Sequence, residues 1–440
     1  MFGISNGLKV VGVGSTWHQE GCKMEYRING SEEPTSRSEA WIWVAVIVAA
    51  LGYFVDVIDL WLFSNFRVAS LKDLGLTPDE ITNTGALLLN TQQVGLLLGG
   101  VLWGILGDRR GRASVMFGSI LLYSIGNILN AFVTSVPQYA ALRFITGLGL
   151  AGEIGAGITL VCEILPRKQR GLGTTFVTGL GVAGAIIASL MGKYMEWRTA
   201  FFVGGVMGLA LFVLRALTHD SGMFERMSSH GGIKRGSLRL VFNSWERAGR
   251  FLACIVIGMP IYLLVGTFGS FAPEISAALG VERPIAVADA MLYCSIGLTL
   301  GDIFAGLLSQ LMKSRKLPLA ILIAGSTLAG ITLASGVVRS SQGYLWMLGI
   351  LGLCSGSWAC LITTAAEQFG TNIRATVTTM VPNLVRATAI PITMSFVSLK
   401  QHMTMHNTLL IIVTVVSSLA FLGVLRLRET FHEDLDYYDT

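Results

Sequence analysis

Residues 52–63 read Gly52-Tyr53-Phe54-Val55-Asp56-Val57-Ile58-Asp59-Leu60-Trp61-Leu62-Phe63, inside a run from Trp41 to Phe66 that is otherwise almost wholly apolar. Such a run is long enough to cross the hydrocarbon core of a bilayer, which takes about 20 residues of helix. Two carboxylates within it are expensive, because each costs roughly 2.5–3.5 kcal/mol at a helix centre on insertion scales. A span that carries them must offset that cost with partners or with use.

The rest of the chain repeats the pattern. Its 440 residues are 52% hydrophobic and only 13% charged, with a mean hydropathy of +0.63, where a soluble chain carries about 25% charge. A soluble fold of this composition has too little polar surface to stay dispersed. Twelve apolar runs lie between residues 41 and 427, joined by short loops except for one of about 32 residues, 218–249. The reading is an all-α polytopic membrane protein of twelve transmembrane helices in two pseudo-symmetric six-helix bundles. Residues 41–217 form the first bundle and 250–427 the second; 1–40, 218–249 and 428–440 are an N-terminal tail, a central loop and a C-terminal tail.

The net charge of +5 does not point to nucleic acid, because the basic residues cluster in alternate loops. Arg109, Arg110 and Arg112; Arg167, Lys168 and Arg170; Lys234, Arg235, Arg239 and Arg247; and Lys313, Arg315 and Lys316 all fall on one side, and the loops between hold only scattered charges such as Lys72, Lys193 and Arg283. By the positive-inside rule, both tails and the central loop face the cytoplasm, across a cytoplasmic membrane. The first 40 residues lack the apolar core of a signal peptide, and Met24 is an alternative start to Met1. Cysteines 22, 162, 254, 294, 354 and 360 show no paired spacing, so neither disulfides nor a metal is expected. His402 and His406 stand four apart without further ligands in view. No cofactor is expected, no P-loop is present to bind ATP, and no catalytic constellation marks an enzyme.

The halves echo one another. Gly100 to Arg110, GVLWGILGDRR, has a decayed counterpart in Gly306 to Lys316, GLLSQLMKSRK, and Glu163 and Arg170 recur as Glu367 and Arg374 at the same spacing. Duplicated six-helix units are the internal symmetry of rocking transporters.

On these motifs the sequence resembles the major facilitator superfamily over nearly its whole length. GILGDRRGR matches that family's signature loop G-x-x-x-D-R-x-G-R through Gly104, Asp108, Arg109, Gly111 and Arg112. The resemblance implies a cytoplasmic latch, with Asp108 facing a helix end of the other half and the arginines pairing with acids near span ends such as Glu163 and Glu367. Plain positive-inside anchoring is the alternative. Span four, RFITGLGLAGE, is similar to the R-F-x-x-G-x-G-x-G-G-E pattern of the metabolite:proton symporter and sugar-porter branches, with Ala151 in place of a glycine. Asp56-x-x-Asp59 resembles the acid-x-x-Asp motif of aromatic-acid and phosphate proton symporters. Span five lacks the proline of the drug-antiporter motif.

Helical rise gives each intramembrane charge a depth from its cytoplasmic end: about 22 Å for Asp56 and 21 Å for Arg386, about 27 Å for Asp59 and 30 Å for Arg143, and about 15 Å for Glu153 and Asp302. Opposite charges therefore recur at matching levels, where they face a cavity or one another. Asp56, Asp59 and Glu153 are the candidates for proton coupling, which needs a carboxyl that takes a proton on one side and releases it on the other. Fixed Asp56–Arg386 or Asp59–Arg143 pairs holding helices together are the competing reading. Arg386 stands between Pro382 and Pro391, where a broken helix exposes polar backbone, and its guanidinium suits a carboxylate or phosphate. It is read as an anion-binding residue or one half of an internal ion pair. Arg143, Gln92, Gln93 and Asn383 are further candidates for the cavity, and Asp302 is either an acid of the second half or a packing residue. Asn127 and Asn130 read as contacts between helices.

The expected function is secondary transport of a small organic, anionic metabolite by alternating access with a proton, the chain working as a monomer in the lipid bilayer. Its partners are the small-molecule substrate and protons. Proton-coupled export of a metabolite or drug is the alternative, and a transporter-like sensor a more distant one.

Overall fold

The computed structural model describes residues 36–110, 112–153, 165, 170–219 and 242–431. Among them there is helix and no strand. The helices of the first half are α1 (Ser36–Asp73), α2 (Pro78–Arg110), α3 (Arg112–Asn130), α4 (Val136–Leu150), α5 (Arg170–Tyr194) and α6 (Trp197–His219). Those of the second half are α7 (Trp245–Ile257), α8 (Met259–Leu263), α9 (Ala272–Ala278), α10 (Val287–Met312), α11 (Lys316–Ala334), α12 (Ser341–Ser355), α13 (Trp358–Glu367), α14 (Thr371–Ala387), α15 (Ala389–His402) and α16 (Met405–Arg426). Ten stretches among the described residues are long and apolar enough to cross a membrane. The third span adds the shorter apolar helix Val115–Asn130, and α4 supplies the fourth, so the twelve positions read from the sequence are accounted for. Large apolar side chains such as Leu98, Leu102, Ile303, Leu307 and Leu328 point outward, as a surface solvated by lipid requires.

Local chemistry sets the turns. Between α1 and α2 the chain reads Leu74-Gly75-Leu76-Thr77-Pro78-Asp79-Glu80. Gly75 takes φ +85°, and the N–H groups of Leu76 and Gly75 turn back to the carbonyls of Leu71 and Lys72; this is the glycine-ended helix stop that only a residue without Cβ adopts cheaply. Thr77 then opens α2, donating its backbone N–H and its hydroxyl to Glu80 at 2.9 and 2.8 Å, with Pro78 at the first helical position where its missing N–H costs nothing.

The two halves repeat one packing scheme. α2 lies against α4 as α10 lies against α12, and α3 against α6 as α11 against α16. Glycines permit the close pairs. A Cβ on Gly95 or Gly99 would run into the backbone of Phe144 or Leu148, and a Cβ on Gly297 or Gly301 into that of Gly349 or Leu353. In a bilayer, where water does not drive helices together, such small-residue seams supply the association. Between the halves, α5 packs on α10, and α2 on α14 and α15.

Three spans of the second half are broken. Span seven passes from α8 through a π-helical turn, Leu264–Gly269, in which the Ser270 N–H reaches back five residues to the Val265 carbonyl at 3.2 Å. Span ten stops at Gly356 and restarts at Trp358. Span eleven breaks at Thr388, three residues before Pro391, whose ring nitrogen cannot bond the Ala387 carbonyl. The sequence expects a break near the two prolines, and it falls at the second; Pro382 is carried inside α14.

Of the signature loop, Gly104, Asp108 and Arg109 lie on the last two turns of α2 and Arg112 opens α3, while Arg170 opens α5 and Arg374 lies in the first turns of α14. Gly111 and Glu163 lie outside the described residues, as do 220–241 of the central loop.

Candidate functional site

A charge buried in the interface between the halves is Arg386, on the last turn of α14 and 1% exposed. Its Nη2 donates to Asp56 Oδ2 of α1 at 3.1 Å, so the pair at matching depth is formed. The remaining guanidinium nitrogens, Nε and Nη1, have no hydrogen-bond partner of normal geometry, and Tyr262 stands beside them. Arg386 lines a cavity with about 50 Å³ of room for water-sized occupants, walled by Tyr53 and Trp61 of α1, Tyr262 of α8, Asp302 of α10 and Trp358 at the restart of span ten. The indole N–H of Trp358 is likewise buried and unpartnered. One cation, an unspent indole donor and three further aromatic rings thus face one space, which is an arrangement that receives a planar or apolar body ending in an anion.

Asp302 has a structural task beside this cavity. Its Oδ1 accepts the backbone N–H of Ala359 at 2.8 Å, and no side chain of span ten caps that restart itself. A carboxylate from α10 therefore satisfies the start of half-helix α13 and holds Trp358 at the cavity wall. Asn383, one turn before Arg386, donates to the Ala151 carbonyl at 3.3 Å and lies against Gly100; it joins the halves and does not line either cavity described here.

A second, smaller lobe with about 30 Å³ of such room lies on the other side of Leu60, Trp61, Tyr262 and Val265, which line both spaces. Gln92 and Gln93 of α2, Ser64 of α1 and Thr393 of α15 supply its polar groups. Thr393 Oγ1 bonds Asn90 Oδ1 at 2.6 Å.

Asp59 takes no part in lining either lobe. It is fully buried within the first bundle against Gly204 of α6, and Asn127 is the polar side chain that reaches it. Arg143 is near, but it gives Nη2 to Asn127 Oδ1 at 2.9 Å and stacks on Phe201 at 4.7 Å, leaving Nε and Nη1 unpaired. Asn127 also lies against Asp59. Asp59 and Arg143 are thus neighbours across Asn127 and not a closed ion pair. Glu153 is separate again: Ser119 donates to its Oε1 at 2.8 Å and Arg215 of α6 pairs with its Oε2 at 2.8 Å. Arg215 was not singled out by the sequence, where it reads as one more basic residue near a span end.

The faces are tied differently. On the face opposite the basic loops, Arg67 of α1 is fully buried against the second half, giving Nε to the Ser270 carbonyl at 3.1 Å and Nη2 to Glu274 at 2.6 Å, with its guanidinium 4.4 Å from the Phe271 ring centre. On the basic-loop face, Arg315 meets Glu367 through two parallel bonds of 2.8 and 3.0 Å, the second-half form of the arginine-to-acid pairing implied by the signature loop. Glu429 ties down the start of α11. Partial burial alone disfavours its charged form, yet hydrogen bonds from Ser314 and from the backbone of Arg315, Lys316 and Phe431 hold it below the usual carboxylate range. That tie persists through neutral pH and is lost only as pH falls through the lowered value.

The sequence profile of the Major Facilitator Superfamily matches residues 49–387. The chain belongs to the major facilitator superfamily. Among curated relatives, it is 28% identical over 333 residues to the 3-(3-hydroxy-phenyl)propionate transporter of Escherichia coli K12, covering 71% of this chain and 79% of that one. It is 24% identical over 347 residues to the sialic acid transporter NanX of the same organism, covering 77% and 83%. Among solved structures, a bacterial homologue of the human lysosomal transporter Spinster, in an inward-facing and unoccupied conformation, superposes with a TM-score of 0.61 at 14% identity, over 88% of this chain and 98% of that one. This superfamily protein is therefore a multi-pass membrane transporter of a small metabolite, not an enzyme.

Proposed function

We propose that this superfamily member carries a small organic carboxylate into the cell together with a proton, by alternating exposure of the Arg386 cavity to the two sides of the cytoplasmic membrane. The single observation that carries the reading is Arg386 itself: buried at the meeting of the halves, it gives one N–H to Asp56 and, with the Tyr262 hydroxyl beside it, lines an aromatic-walled space. A guanidinium in that position still has N–H groups with which to donate to a carboxylate. The cargoes named for the two relatives, 3-(3-hydroxy-phenyl)propionate and sialic acid, are both carboxylic acids, which supports the same class here. The basic loops of one face support placing that face, with both tails, in the cytoplasm.

Proton coupling falls to Asp59. It is the buried acid of the three candidates outside a closed ion pair, and Arg143, beside it, has two unspent nitrogens to offer. A carboxyl that alternates between holding a proton and meeting a guanidinium couples the two movements. Asp56 is committed to Arg386 and Glu153 to Arg215 and Ser119. The test is uptake of a labelled aromatic carboxylate into proteoliposomes under an inward proton gradient. Asp59→Asn abolishes gradient-driven accumulation while counterflow exchange continues, and Arg386→Lys weakens binding at least tenfold. Normal accumulation by Asp59→Asn removes the proton assignment; unchanged affinity in Arg386→Lys removes the anion site.

A further inference from the structure

The second lobe has chemistry that an anion site does not need. Gln92 is 2% exposed and Gln93 is 9% exposed; Gln92 Nε2, a donor, and Gln93 Oε1, an acceptor, have no hydrogen-bond partner, and both side chains line the lobe. Buried amide atoms without partners are costly. Their backbone is held in place, because Gly147 brings α4 hard against the Gln92 carbonyl and Gly95 sits on Phe144. A rigid helix turn therefore holds one unpartnered donor and one unpartnered acceptor beside a small space that contains no charged side chain in its wall.

The two lobes share Leu60, Trp61, Tyr262 and Val265, so a ligand reaching from Arg386 to the glutamines passes along an aromatic and aliphatic partition. Along span eleven, Arg386 of the first lobe and Thr393 of the second are seven residues apart, about 10 Å at helical rise. That spacing suits a ligand with two separated polar ends and not a compact anion such as phosphate.

Resting on the carboxylate reading above, we infer that Gln92 and Gln93 form a second, uncharged subsite that selects ligands bearing a neutral group able both to donate and to accept a hydrogen bond, such as a hydroxyl or carboxamide, at the end remote from the carboxylate. The acid sets where the ligand docks, and the glutamines set which acids are taken. A site built around free hydrogen-bonding groups rejects an analogue lacking the matching group, since the protein's own atoms are then left buried and unpaired.

The experiment is calorimetric titration of purified full-length protein in detergent with matched pairs: benzoate and 4-hydroxybenzoate, 3-phenylpropionate and 3-(3-hydroxyphenyl)propionate. In the wild type, at least one hydroxylated acid binds ten-fold or more tighter than its parent. In Gln92→Leu and Gln93→Leu that advantage falls below about threefold. The wild-type series alone already tests the idea should a variant fail to fold, and Gln92→Asn and Gln93→Asn, which keep the amide but withdraw it by one carbon, give a milder version of the same loss. Equal binding within both pairs, or an advantage that survives in both leucine variants, overturns the subsite while leaving the anion site standing. Absence of any carboxylate binding in the wild type, or binding indifferent to Arg386→Lys, overturns the anion site and the subsite with it.

Discussion

At the scale of single residues, the governing fact is that charges are buried in a medium where water cannot repay them. Asp56 and Arg386 answer each other across the halves, so removing one alone strands the other. Asp56→Asn costs roughly 3–5 kcal/mol of stability, and replacing both by apolar residues, Asp56→Leu with Arg386→Met, recovers most of it. Thermal unfolding in detergent, followed by native fluorescence, reads both; equal losses in single and double variants would show that the pair contributes packing and not charge compensation. This pair was legible in the sequence because helical rise converts position into depth. The same arithmetic put Asp59 level with Arg143, but depth carries no azimuth. It could not see that Asn127 of a third helix stands between them, nor that Glu153 finds Arg215 across its own bundle.

At the scale of elements, seams and breaks decide the shape of the cavity. Gly301 of α10 sits where a Cβ would meet the Leu353 carbonyl, while Gly306, five residues on along the same helix, has nothing within 4 Å of such an atom. Gly301→Ala therefore forces backbone apart and destabilises by about 1–3 kcal/mol, whereas Gly306→Ala is neutral or stabilising by up to about 1 kcal/mol. Melting temperatures of the two variants, purified side by side, check this. A fall in both would mean that helix α10 is sensitive to side-chain bulk on every face. The glycines announced close packing in the sequence, and Pro391 announced the break in span eleven. The break in span ten carried only a weak local mark, Ser355-Gly356-Ser357 inside an otherwise apolar run, and the group that completes it lies elsewhere, in the carboxylate of Asp302 on a different helix.

At the scale of the whole molecule, the twelve spans and their duplication were written in hydropathy and in the echo of one half by the other, because a bilayer forces every span to declare itself. Which face is closed was not, since that depends on contacts between spans far apart in sequence. The structure joins the halves at α5 and α10, where Ser189 and Ser295 hydroxyls lie 3.3 Å apart, and outside the basic-loop face through Arg67 and Glu274. Rocking must part some of these contacts. A Ser189→Cys, Ser295→Cys variant forms a cross-link under oxidant and loses transport, and reductant restores it; full transport with the cross-link formed would place the moving seam elsewhere. The π turn in span seven bears on the same closure. A turn that takes five residues where an α-helix takes four stores one residue of slack. Excising a single residue between Leu264 and Gly269 lets the turn relax to an α-helix, with Glu274 keeping its bearing toward Arg67. The same excision from α7 swings everything beyond it by about 100° around the axis. Span seven thus has a single place along its length where the chain can be shortened without turning its outer end away.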